Sequence, residues 1–122
     1  MPKLIINDRT SVVEKGKRLV LAIEETGVRI GHRCGGWAKC TTCRVEFLSG
    51  EPETMTAAEY ERLKKNDLLG VARLSCQITC DHDMSLRPMV TEFDRPDWEG
   101  DTGPTPEATV TPEAAWRLRT EF

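Results

Sequence analysis

The chain has 122 residues, 39% of them hydrophobic, with 17 Lys+Arg against 20 Asp+Glu and a net charge of −3. That length holds one domain with some excess, the apolar fraction excludes a disordered chain, and the charge balance is not basic enough for a nucleic-acid binder. No apolar run approaches the ~20 residues that span a bilayer, and Met1-Pro2-Lys3 leads into Leu4-Ile5-Ile6 without a signal-peptide core, so a soluble, reducing, cytoplasmic setting is expected.

Lys3 to Ile6 reads as a strand, Asn7-Asp8 as a turn, and Thr10 to Val13 as the partner strand of a hairpin. Leu19 to Glu25 places Leu19, Ala22 and Ile23 on one face of a short helix, with Gly27 as its C-terminal stop. A cysteine-bearing loop follows over residues 29–43. Arg44 to Leu48 alternates, with Val45 and Phe47 inward and Arg44 and Glu46 outward, which predicts a half-buried strand ended by Ser49-Gly50. Thr56-Ala57-Ala58-Glu59 is a capping box, and Met55 with Tyr60 fits the hydrophobic staple, so a second helix starts there and ends by Gly70. Arg73 to Gln77 and Met84 to Arg87 predict two further strands, the last closed by Pro88.

The composition shifts after Val90. Residues 1–89 carry +2 and residues 90–122 carry −5, which separates a domain at 1–90 from an acidic extension at 91–122. Pro96, Pro104, Pro106 and Pro112 predict an extended linker or wrapping segment over residues 94–112. A short helix is expected over 112–119, with Thr111 as its cap and Pro112 in its first turn; Trp116 and Leu118 would then dock on the domain.

Chemistry is carried by the cysteines. The chain has five, clustered in a way that favours metal over disulfides. Cys34, Cys40 and Cys43 read C-x5-C-x2-C inside HRCGGWAKCTTC, and Cys76 follows in RLSCQ. Three thiols in one glycine-containing loop plus one distant thiol suit a [2Fe–2S] cluster, because thiolate ligates both irons. Zinc is the rival metal, but zinc ribbons pair two short C-x2-C units and only one exists here. Cys80 is a rival fourth ligand, with a buried free thiol as its ordinary reading. His32 and His82 raise a Rieske arrangement, which requires two histidines in place of two cysteines. His32 otherwise lies beside the cluster or faces solvent, and Trp37 either shields the site, meets a partner or packs.

The physical needs of such a site match the loop. Two ferric irons, two sulfides and four thiolates sum to −2, and one electron makes −3. Gly35 and Gly36 let the backbone curl in and aim amides at sulfur, Ala38, Thr41 and Thr42 are small, and a threonine hydroxyl adds a donor. Arg29, Arg33, Lys39 and Arg44, with no acid among them, give a local +4 that favours the reduced state.

The order β-β-α, cysteine loop, β-α, cysteine-bearing strand, β, together with CGGWAKCTTC and RLSCQ, resembles the [2Fe–2S] ferredoxins over residues 2–89. The five-residue first gap is similar to the adrenodoxin-like, hydroxylase-type branch. The resemblance implies an α+β fold of β-grasp type: a small mixed sheet, one main helix and a cluster-binding loop. It implies Cys34, Cys40, Cys43 and Cys76 as the iron ligands, a [2Fe–2S] cofactor, and a monomeric one-electron carrier that is not itself an enzyme. The implied partners are a ferredoxin reductase and an acceptor redox protein, with no nucleic acid and no membrane. Two further readings are an electron-input subunit of a larger redox enzyme and a redox-sensing protein. The second helix, AAEYERLKKND, departs from the acidic docking helix of hydroxylase-type ferredoxins, because Arg62, Lys64 and Lys65 offset Glu59 and Glu61. The acidic extension is expected to take over docking or to shield the domain.

Overall fold

A computed structural model describes residues 1–32, 34–89 and 105–122. Arg33 and the part of the expected linker over residues 94–104 lie outside the described residues. Asn7 and Asp8 both take left-handed backbone, φ 48° and 71°, so the chain reverses between β1 (Lys3–Ile6) and β2 (Arg9–Val12), which pair antiparallel. Leu4 and Ile6 point inward and are buried, as the period of two requires.

Helix α1 (Leu19–Glu25) follows the two-residue β3 (Lys17–Arg18). It buries Leu19, Val20, Ala22 and Ile23 against the core. Its stop is the expected one, with Gly27 at φ 95° just beyond Thr26. After the cysteine loop comes β4 (Arg44–Ser49), then β5 (Thr54–Thr56) and α2 (Ala57–Lys65). Thr56 caps α2 by accepting the Glu59 amide at 3.1 Å. The reciprocal arm of the capping box is not formed. Glu59 is fully buried, and its carboxylate accepts from Arg73 Nε at 2.8 Å and the Leu74 amide at 2.8 Å. A buried guanidinium satisfies that carboxylate better than one amide at a helix end.

The five-stranded sheet has the order β2-β1-β8-β4-β6, where β6 is Arg73–Leu74 and β8 is Met84–Pro88. Its central pair, β1 with β8, is parallel, and the neighbouring pairs are antiparallel. This is the mixed sheet of a β-grasp, and the core of Leu4, Ile6, Leu19, Ile23, Ile30, Val45, Leu63, Leu74, Ile78 and Leu86 fills the space between it and the helices. A second small ladder joins β3 to β7 (Thr79–Cys80). No helix among the described residues is long and apolar enough to cross a membrane.

Two expected elements differ. The strand predicted over Arg73 to Gln77 stops at Leu74, and Ser75–Gln77 form a 3₁₀ turn. Cys76 and Gln77 thereby leave the ladder and turn toward the cysteine loop. The helix predicted over 112–119 is absent: Trp116–Leu118 form β9, which pairs antiparallel with β5. The reason lies at Thr111. Its hydroxyl donates to the Gly36 carbonyl at 3.0 Å and accepts from Arg18 at 3.3 Å, so it does not cap a helix. The exposed edge of β5 then offers the chain a ladder instead. Phe122 stacks on Tyr60, ring centroids 4.4 Å apart.

Candidate metal centre

The antiparallel pairing of β4 with β6 sets Arg44 opposite Leu74. One residue outward, the Ser75 amide and hydroxyl both donate to the Cys43 carbonyl, at 3.2 and 2.7 Å. That junction brings Cys43 against Cys76, 33 positions apart in sequence. Cys34 and Cys40 meet within the loop itself. The four thiols act on one another's ionisation most strongly as two pairs, Cys34 with Cys40 and Cys43 with Cys76.

The pairs differ in setting. Cys43 and Cys76 are buried, whereas Cys34 and Cys40 are half-buried. In each pair one thiol is pushed toward thiolate and the other is held protonated. The Cys40 thiol, with the Lys39, Trp37 and Gly36 amides, holds Cys34 down at about 4 against the opposing effect of burial. The Cys34 thiolate and burial in turn push Cys40 well up. Cys76 is lowered by the Cys43 thiol, the Gln77 amide and the Arg18 charge, and Cys43 is raised by Cys76 and by burial.

Donors surround the sulfurs. Gly35, Gly36 and Ala38 all take positive φ (70°, 90° and 58°), which turns successive loop amides inward as a nest. Gly36 is required for a second reason, since a Cβ there would lie 2.6 Å from Arg18 Nη2. The Thr42 hydroxyl stands 3.2 Å from Cys40 Sγ, and Gln77 Nε2 stands 3.6 Å from Cys76 Sγ. Arg62 of α2 ties the loop down through the Ala38 carbonyl at 3.0 Å, and Arg44 bonds the Thr41 carbonyl and hydroxyl.

Arg18 is the residue that the sequence did not single out. It is fully buried at the end of β3 and reaches the Cys76 and Gly36 carbonyls at 2.6 and 2.5 Å. Burial pulls its guanidinium down, and the Cys76, Cys43 and Cys34 thiols oppose that pull. A faint signal existed: Arg18 occupies the N-cap of α1 without capping it, where Ser, Thr, Asp or Asn is the usual choice.

The other candidates separate. Cys80 is buried with no thiol partner, and burial raises it to about 12. His32 is buried rather than facing solvent, with Nε2 on Glu24 and Nδ1 without a partner among the described residues. His82 is exposed, and its Nε2 meets the Gly50 carbonyl at 2.7 Å. Neither histidine joins the thiols, which removes the basis for a Rieske arrangement. Trp37 is 46% exposed at the loop's tip.

The donor set fits a core of two irons and two bridging sulfides. Each iron of such a core takes two thiolates and two bridging sulfides, and two pairs of thiols are what the loop and the 3₁₀ turn present.

Comparison with known proteins gives the family and the fold. The sequence model of the 2Fe-2S iron-sulfur cluster binding domain matches residues 4–81. The F subunit of the Na(+)-translocating NADH-quinone reductase from Chlamydia pneumoniae is 35% identical over 101 residues, covering 80% of this chain and 23% of that protein. The chain thus spans about a quarter of the length of that relative. Among solved structures, the ISC-like [2Fe-2S] ferredoxin FdxB of Pseudomonas putida superposes with a TM-score of 0.60 at 22% identity, covering 71% of this chain and 91% of that one. The Amycolatopsis cytochrome P450 reductase GcoB gives a TM-score of 0.56 at 25% identity, covering 71% of this chain and 26% of that one.

Proposed function

Because the chain belongs to the 2Fe-2S iron-sulfur cluster binding domain family, we propose that it is a one-electron carrier whose cluster is held by Cys34, Cys40, Cys43 and Cys76. The observation that carries this reading is the division of the thiols into two pairs. Cys34 and Cys40 would hold one iron and Cys43 and Cys76 the other. When bound, a [2Fe–2S] cluster takes up and returns a single electron without bond chemistry on a substrate.

The chain's own residues do the rest. The inward amides of residues 36, 37 and 39 and the side chains of Thr42 and Gln77 stabilise negative sulfur. Cys43 and Cys76 are buried and would keep water from an iron bound there, whereas Cys34 and Cys40 are half-buried and would leave theirs nearer the surface for electron transfer. Trp37 and Lys39 are exposed beside that edge, and they fit an acceptor with an acidic face around an apolar contact. Residues 1–90 form the cluster-binding unit and 91–122 its extension. The partners are a reductase as donor and a redox protein as acceptor. Five free thiols suit the cytoplasm.

Anaerobic reconstitution tests the ligand set. The parent protein should bind two irons and two sulfides per chain. Each of Cys34→Ser, Cys40→Ser, Cys43→Ser and Cys76→Ser should lose most of the visible absorption, and a variant that retains parental colour removes that residue from the set.

A second reading has specific support. The matched relative and the matched reductase are both about four times the length that this chain covers. In that reading the unit feeds electrons within a larger redox assembly. Stoichiometric co-purification with native partners supports it, and elution as a free monomer from native extract contradicts it.

A further inference from the structure

Arg18 is 0% exposed, and each of its five N–H groups has one acceptor. Nε donates to the Cys76 carbonyl at 2.6 Å, and Nη1 donates to the Glu107 and Thr109 carbonyls at 2.9 and 3.2 Å. Nη2 donates to the Gly36 carbonyl at 2.5 Å and to the Thr111 hydroxyl at 3.3 Å. Every acceptor is neutral, and no carboxylate pairs with Arg18 among the described residues. Contrast Arg73, also buried, which lies on Glu59 and Glu51.

Neutral carbonyls satisfy the donors but leave the charge itself unbalanced. A buried, unpaired cation is strongly disfavoured, and Arg does not escape by losing its proton. The anion is therefore the site that the guanidinium touches from both sides. Cys76 is a proposed ligand, and Gly36 lies in the loop between ligands. Three of the five acceptors come from residues 107–111, which close over the guanidinium and exclude water from it; Val110 and Thr111 are buried there. Gln77 fastens the same segment, donating to the Thr111 carbonyl at 2.6 Å.

We propose that Arg18 is the buried counter-cation of the cluster, held dry against it by the C-terminal segment 107–111, and that it raises the reduction potential. The sign follows from charge. Reduction takes the site from −2 to −3, so a fixed positive charge stabilises the reduced form more than the oxidised one. The surface cations of the loop act in the same direction but through water and salt, which screen them. Arg18 is shielded from both. This role rests on the cluster assigned above.

The test compares reconstituted parent, Arg18→Gln and Arg18→Lys by redox titration followed by electron paramagnetic resonance. Loss of the charge in Arg18→Gln should lower the equilibrium constant for reduction at least tenfold, which is about 59 mV for one electron. Arg18→Lys keeps the charge without the planar fork and should recover most of that loss. A change of less than twofold in Arg18→Gln overturns the proposal. If Arg18→Gln does not load iron, Arg18→Lys decides: loading with a constant within about threefold of the parent supports a counter-charge, as judged against the tenfold loss, and failure of both variants shows that the fork alone matters and overturns it. Denaturation gives an independent readout. Arg18→Gln should destabilise the cluster-bound protein more than the metal-free protein, and equal effects contradict the proposal. A parent without a [2Fe–2S] spectrum defeats the cofactor assignment itself, whereas a normal parental spectrum with unmoved variants defeats only the role of Arg18.

Discussion

At the scale of single residues, position sorts the five cysteines more firmly than spacing does. Cys80 sits four residues after Cys76, yet it lies on β7 opposite Lys17 and faces no other thiol. Cys80→Ala should leave the visible spectrum of the loaded protein unchanged; bleaching would return Cys80 to the ligand set. Its thiol ionises only near 12 because it is buried. The reactive thiolate grows with rising pH, so alkylation of folded protein at pH 8 should spare Cys80. Arg73 and Glu59 make the other residue-scale prediction. Both are buried and joined by two hydrogen bonds, at 2.8 and 3.1 Å. Arg73→Met strands a carboxylate in the core and should cost about 3–5 kcal/mol by denaturant unfolding. The four thiols proposed as ligands were legible in the sequence because thiolate chemistry is carried by one residue type at fixed gaps. Arg18 was not legible, since its meaning comes from carbonyls 18 to 91 positions away.

At the scale of elements, local signals worked where local physics decides. The Asn7-Asp8 turn, the apolar face of α1 and the Thr56 cap are each fixed by a few neighbouring residues. They failed where a distant partner wins. RLSCQ reads as a strand, but the 3₁₀ turn at Ser75–Gln77 is drawn out of the ladder by the Cys43 carbonyl and by the pairing of Cys76 with Cys43. Residues 112–119 read as a helix, but Thr111 is engaged by Gly36 and Arg18 and the following residues extend β5. Removing residues 116–122 deletes β9 and the Tyr60–Phe122 stack while keeping the acceptors of Arg18. The expected result is a loss of about 1–3 kcal/mol of stability, from the stack and the cross-strand pairs, with the cluster spectrum intact. An altered spectrum would mean that β9 supports the site directly.

At the scale of the whole molecule, a small sheet and two short helices present one face of chemistry. β4, the turn after β6 and the cysteine loop bring four thiols together in pairs, and the C-terminal segment closes over the buried cation beside them. At that seam Arg18 meets backbone carbonyls and a hydroxyl rather than carboxylates. A metal cluster in such a unit contributes directly to folding. The most direct measurement is a spin count: reconstituted protein reduced anaerobically with dithionite and examined by low-temperature electron paramagnetic resonance. The account predicts one unpaired electron for every two irons bound, and a fully loaded sample that stays silent after reduction would contradict it.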